Sequence, residues 1–212
     1  MSEIVNVENV TKYFKQEKVL DDVNMNLETG HIYGIVGKNG AGKTVLFKII
    51  AGFIKPSSGK VTVAGKIIGV DRDFPDSLGL IIETPGFLSQ YNAYQNLLYL
   101  ANINNKISKE DIKEAIRMVG LDPDSNKKVG KFSLGMRQRL GIAQAIMENP
   151  NLIILDEPMN GLDKKGIEDV KELLLKLKGD GKTILMASHY AEDMEICDEV
   201  FQMEDGKLGD MK

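Results

Sequence analysis

The stretch Gly37-Lys38-Asn39-Gly40-Ala41-Gly42-Lys43-Thr44 constrains this chain more than any other. It follows His31-Ile32-Tyr33-Gly34-Ile35-Val36, which reads as a short buried strand, and precedes Val45-Leu46-Phe47-Lys48-Ile49-Ile50, which reads as a helix. The pattern G-x-x-x-x-G-K-[ST] between a strand and a helix is that of a phosphate-binding loop. Residues without a Cβ at Gly40 and Gly42 let the backbone bend around a polyphosphate and aim its N–H groups inward. A helix beginning near Lys43 adds the positive end of its dipole at the same place. The whole loop, Lys38, Asn39 and Ala41 included, is assigned to the phosphate cradle. Lys43, expected to be exposed at the loop–helix junction, would neutralise the β- and γ-phosphates, and the Thr44 hydroxyl would take one position on Mg²⁺.

The remaining segments suit an α/β fold. Val23-Asn24-Met25-Asn26-Leu27 alternates apolar and polar residues as a half-buried antiparallel strand does, so the first thirty or so residues read as a β-element at an edge. Thr29-Gly30 supplies the turn into the loop strand. Lys55 to Gly59 reads as a turn, Val61-Thr62-Val63 as a short strand, and Leu78–Ile82 as a buried strand ending at Glu83-Thr84-Pro85-Gly86. From about Tyr91 to Met147 the periodicity becomes helical. Ser108-Lys109-Glu110-Asp111 has capping-box spacing, Gly120 stops that helix, and Ser133 is placed to cap the next one. Leu152-Ile153-Ile154-Leu155 and Thr183-Ile184-Leu185-Met186-Ala187 are uninterrupted apolar runs, typical of parallel strands buried on both faces, and Val170–Lys178 is an amphipathic helix between them. The expected organisation is a single domain: a core over about 1–83 and 150–212, with a helical subdomain over about 84–149.

Ligands of parallel α/β sheets sit at the carboxyl ends of the strands. Asp156 and Glu157 follow the Leu152–Leu155 strand directly, as the phosphate loop follows its own strand. An acidic residue there can hold Mg²⁺, and a second carboxylate beside it can polarise a water for in-line attack on a γ-phosphate. His189, at the end of the next apolar strand, is placed to reach a γ-phosphate oxygen, whereas His31 reads as structural.

A formal net charge of -4 argues against broad nucleic-acid binding. The one cysteine, Cys197, excludes an internal disulfide and reads as a packing residue in a late helix. No apolar run reaches the roughly 18 residues that cross a bilayer, and the N-terminus, Met1-Ser2-Glu3-Ile4, does not read as a signal peptide. A cytoplasmic chain is expected, held at any membrane by another polypeptide.

These residues, in this order, resemble the nucleotide-binding subunit of an ABC transporter, a P-loop NTPase (RecA-like) core with an N-terminal antiparallel β-element and an inserted helical subdomain. The resemblance covers essentially all of the chain. Gly37 to Thr44 match the Walker A loop, and Leu152 to Glu157 the Walker B strand with its glutamate. Phe132-Ser133-Leu134-Gly135-Met136-Arg137-Gln138-Arg139 looks like the family signature, usually written L-S-G-G-Q, and in that pentapeptide only Ser133 and Gly135 keep the usual identity. Those two residues, by resemblance, contact the γ-phosphate held by a partner subunit. Asn160-Gly161-Leu162-Asp163 resembles the D-loop and His189 the switch histidine. Phe14 falls where the family places an aromatic ring on adenine, with Tyr13 as the other candidate.

The resemblance implies ATP and Mg²⁺ as ligands. It also implies a head-to-tail dimer with a second ATPase subunit, the same chain or a different one, and a transmembrane permease that holds the pair at the inner face of the membrane. The family's Q-loop glutamine is replaced by Glu83, whose charged oxygen suits a hard cation; it is assigned to the metal and to catalysis. Glu83-Thr84-Pro85-Gly86-Phe87, together with the signature and D-loop, looks most like the ATPases of bacitracin- and lantibiotic-type peptide exporters. Members of that group often carry a C-terminal extension, expected to be absent here. Two alternatives compete: an ABC-type ATPase working on DNA or the ribosome, and a nucleotide-gated interaction module with little turnover.

Overall fold

The computed structural model describes residues 2–83 and 86–210. Met1, and Thr84 and Pro85 of the expected Pro-Gly loop, lie outside the described residues. In chain order the elements are β1 (Glu3–Phe14), β2 (Glu17–Glu28), β3 (Ile32–Val36), α1 (Lys43–Ile50), β4 (Ser58–Val63), β5 (Lys66–Ile67), β6 (Leu78–Ile81), α2 (Ala93–Asn104) and α3 (Lys109–Met118). They continue with α4 (Leu134–Ile146), β7 (Leu152–Asp156), α5 (Lys164–Gly179), β8 (Thr183–Ser188), β9 (Glu199–Glu204) and β10 (Lys207–Asp210).

Two sheets result. The N-terminal one is antiparallel, in the order β2-β1-β4-β5. Its alternation is the one read in the sequence: Val23, Met25 and Leu27 are buried while Asn24 and Asn26 face water. The second sheet has the order β10-β9-β3-β8-β7-β6, parallel throughout except for β10, which turns back along β9.

The central strands β7 and β8 are buried at every position, and apolar between their ends, because each face of the parallel sheet has its own cover. Ile32, Ile81, Ile153, Leu155, Ile184 and Met186 pack with the helices α2 to α5. Their neighbours along the strands, Ile35, Leu152, Ile154, Leu185 and Ala187, pack with α1 and the antiparallel sheet. With a side-chain period of two, neither face can be polar without opening one of these layers.

Side chains with local hydrogen-bonding reach mark the helix starts. Asn92 with Gln95 and Ser108 with Asp111 form capping boxes at α2 and α3; Ser133 accepts from Met136 N–H at α4, and Asp163 from Gly166 N–H at α5. The structure extends the sequence reading at two places. Helix α5 begins at Lys164, two turns before Val170, because its first turns are polar and contain Gly166, and the Asp163 cap rather than periodicity sets the start. The β9–β10 hairpin is also longer than the single last strand expected near Val200–Met203. Cys197 sits just past a short 3-10 turn (Ala191–Ile196) rather than within an α-helix. Burial pushes its thiol up to about 12, so it is a packing residue, as expected.

Strand register levels the carboxyl ends that matter. Val36 is paired with Ser188, Asp156 with Ala187, and Ile81 with Leu155. The segments after β3, β6, β7 and β8 therefore leave the sheet side by side.

Candidate functional site

The site is built on these four strand ends. After β3 the loop runs from Gly37 to Gly42, where Gly40 and Gly42 have φ of 85° and 111°, backbone conformations that disfavour a Cβ. Gly42 is the N-cap of α1 and no side chain caps it, which leaves the first N–H groups of that helix for an anion. The Gly206 N–H donates to the Ala41 carbonyl and so braces the loop from the β9–β10 turn. Cavities of about 380 and 420 Å³ flank the loop. Val19, Asp156 and Glu157 help to line the first, and His189 and Gln202 to Asp205 the second.

Lys43 departs from expectation. It is only 5% exposed. Its Nζ donates to the carbonyls of Gly37 and Lys38 and stands 3.6 Å from Glu157 Oε1. The first turn of α1 packs the lysine stem beneath its own loop and leaves the ammonium inside the cradle, where a phosphate could replace the carbonyls as its partner.

Thr44 Oγ1 donates to Asp156 Oδ2 at 2.6 Å, joining the start of α1 to the end of β7 directly. Burial raises the Asp156 carboxyl above its ordinary range; the Thr44 hydrogen bond opposes this, and the charge of Glu157 adds to it. Among the described residues no three His, Cys, Asp or Glu side chains gather as a metal cage. This donor set suits Mg²⁺, which is held by one or two protein oxygens together with substrate phosphates. Thr44 and Asp156 are the residues that could hold it.

Glu157 takes φ of 52°, which turns its carboxylate away from the strand line. Its Oε2 lies 2.9 Å from His189 Nδ1, and the imidazole ring lies against Tyr190. Glu83, also left-handed with φ of 60°, is turned toward α1, where Lys48 Nζ holds its Oε1 at 2.6 Å. The ring of Phe14 and that of Tyr13 are both half-exposed at the end of β1, under Lys12 and Lys18 respectively. Ser133 and Asp163 serve as helix caps. His31 is local, its Nδ1 3.1 Å from the Thr29 carbonyl. The structure thus gathers Lys43, Thr44, Asp156, Glu157 and His189 in one cluster and sets Glu83 on Lys48 at its side.

Two residues with roles here escape sequence reading. One is Lys48, which repeats no motif. The other is Gln138, which lies in the signature-like stretch but was given no role there, a buried amide whose Nε2 donates to the carbonyl of Glu157 at 3.1 Å. A polar residue one turn past Leu134, on a helix face that continues into Ile142, was the available signal.

The sequence model of the ABC transporter family matches residues 20–160. The ATP-binding protein YybJ of Bacillus subtilis is 45% identical, over 97% of this chain and 94% of its own length. The bacitracin transport ATP-binding protein BcrA of Bacillus licheniformis is 41% identical, over 98% of this chain and 69% of its own length. The lantibiotic transport ATP-binding protein SrtF of Streptococcus pyogenes is 35% identical, over 97% of this chain and 89% of its own. Among solved structures, the dimeric post-hydrolysis ATP-binding cassette MJ0796, bound to ADP and Pi, superimposes with a TM-score of 0.88 at 25% identity, covering 99% of both chains.

Proposed function

The chain belongs to the ABC transporter family as an ATP-binding, ATP-hydrolysing subunit, and on that premise we propose that it drives a separate transmembrane permease exporting, or giving immunity to, an antimicrobial peptide. The observation that carries the reading is the single cluster joining Thr44 to Asp156 and Glu157 to His189 at the carboxyl ends of β3, β7 and β8. The peptide class rests on the names of BcrA and SrtF. Transport relatives favour this reading over an ATPase working on DNA or the ribosome.

In the proposed mechanism the loop N–H groups and Lys43 bind the β- and γ-phosphates, with Phe14 or Tyr13 against the adenine ring. Thr44 and Asp156 would hold Mg²⁺, which supplies charge neutralisation on the phosphate oxygens when bound. Glu157 accepts a proton from a water whose oxygen forms the new bond to the γ-phosphorus. The bond from that phosphorus to the β–γ bridging oxygen breaks, and ADP and phosphate leave. His189 keeps the Glu157 carboxylate pointed at the water and reaches a γ-phosphate oxygen. Ser133, Gly135 and Asp163 would complete the site of a second ATPase subunit packed head to tail. We divide the chain into a core over about 1–83 and 150–212 and a helical part over about 84–149.

No helix among the described residues is long and apolar enough to cross a membrane, so attachment at the inner face would come through the permease. The test is to tag the chain in its own cell, identify the membrane protein that copurifies, and measure MgATP hydrolysis with and without it. A permease partner and ATPase activity support the reading; recovery with ribosomes or DNA overturns the transport assignment.

A further inference from the structure

The first two turns of α4 lie against the segment that follows β7, and their contacts form a continuous seam. The Leu134 side chain covers Gly161, which has φ of 75°; a Cβ there would collide with Leu134 Cδ2. A Cβ on Gly135 would come within 2.9 Å of the Gly161 carbonyl. Gln138, 7% exposed, donates its amide N–H to the carbonyl of Glu157. Residues 134, 135 and 138 share one helix face, as positions separated by three and four do.

That carbonyl belongs to a residue in a costly conformation. A side chain as long as glutamate at φ of 52° persists only where its surroundings hold it. Three hydrogen bonds do so: Glu157 N–H to the Ala187 carbonyl, Asn160 N–H to the Glu157 carbonyl, and the Gln138 amide to that same carbonyl. The first two are backbone contacts of the strand and turn. Among the described residues the Gln138 bond is the one that a side chain makes to the Glu157 backbone, while His189 and Lys43 meet its carboxylate, and it comes from a different part of the molecule.

We propose that Gln138 is a positioning residue for Glu157, linking the orientation of the Glu157 carboxylate to the seating of the α4 N-terminus that carries Ser133 and Gly135. The inference rests on the reading of Glu157 as the group that activates water. In a head-to-tail dimer the two ends of this link serve different nucleotides: Glu157 the one bound by its own chain, Ser133 and Gly135 the one bound by the partner. Displacement of α4 at one site would then be transmitted, through one amide, to the carboxylate of the other.

The test compares wild type, Gln138→Met, Gln138→Leu, Glu157→Gln and the double variant Glu157→Gln/Gln138→Met. Methionine and leucine come close to the volume of the amide without a donor, so one folded variant of the two suffices. We expect kcat to fall at least about tenfold, in line with the cost of a misplaced reacting group, with KM for MgATP within about twofold. In the Glu157→Gln background, loss of Gln138 should lower the residual rate no further and leave MgATP-driven dimerisation unchanged, measured by size exclusion. An unchanged kcat, a multiplicative loss in the double variant, or loss of dimerisation would overturn the proposal. If wild type itself hydrolyses no MgATP, or Glu157→Gln retains full activity, the reading of Glu157 fails instead.

Discussion

His189 Nδ1 and Glu157 Oε2 stand 2.9 Å apart, one at the end of β8 and the other at the end of the adjacent parallel strand β7. The pair is partly exposed and faces the phosphate loop from across the cleft. Its geometry gives the imidazole hold over the direction of the carboxylate. His189→Ala should therefore lower kcat by about 10- to 100-fold while leaving KM for MgATP within about threefold, measured by steady-state hydrolysis. A rise in KM with kcat unchanged would place His189 in ground-state binding alone.

Burial of Lys43 changes what its removal does. Lys43→Ala should weaken ATP binding by about ten- to a hundredfold, the worth of a charge-assisted phosphate contact. It should also lower the melting temperature of the nucleotide-free protein, because the packed stem and its bonds to Gly37 and Lys38 are lost. Each kcal/mol lost corresponds to about 2–4 °C in a chain of this size. Calorimetry with and without MgATP reads both effects, and the ligand-dependent shift of wild type should be largely absent in the variant.

Asp156 has a carboxyl raised by burial, so its ionised form is the one the fold disfavours. The stability it contributes is present below the unfolded carboxylate value and is lost as pH rises through the raised folded value. Asp156→Asn removes that loss and keeps an oxygen to accept from Thr44. Without nucleotide or metal, the variant should melt a few degrees higher than wild type at pH 7, with the difference shrinking as pH falls toward the ordinary carboxylate range. The same variant should lose MgATP hydrolysis.

Lys48 and Glu83 form an exposed pair beside the site. Glu83→Gln should keep ATPase activity within about tenfold, a barrier change of about 1.4 kcal/mol. Lys48→Met frees the carboxylate, whose charge repels the γ-phosphate unless a cation lies between them, so this variant should need more Mg²⁺ for half-maximal rate. Adding Glu83→Gln should restore the wild-type requirement. Equal Mg²⁺ titrations for all variants would make the pair a solvated surface contact.

Legibility followed the reach of each interaction. The strand–loop–helix at Gly37–Thr44, the apolar runs of β7 and β8 and the caps at Ser108 and Ser133 are local, and the structure has them where the residues put them. Site residues placed at strand ends converge because parallel register levels those ends. What local reading missed depends on how a loop closes on itself and on contacts distant in sequence. The burial of Lys43 comes from its loop closing over it, the Glu83–Lys48 pair spans two elements, and Gln138 reaches a carbonyl nineteen residues away. The early start of α5 was hidden because an Asp163 cap carries no periodicity.

The central claim is that Glu157 activates water at a nucleotide held between two ATPase subunits. It is tested most directly by Glu157→Gln in size-exclusion chromatography with and without MgATP, beside a hydrolysis assay. The amide keeps the shape of the side chain and removes the charge that polarises water. The account predicts hydrolysis lowered by about 10² or more and a stable dimer appearing only with MgATP. A variant that hydrolyses at the wild-type rate, or that stays monomeric at high concentration with nucleotide bound, both alone and with any second ATPase subunit recovered from its own cell, would contradict it.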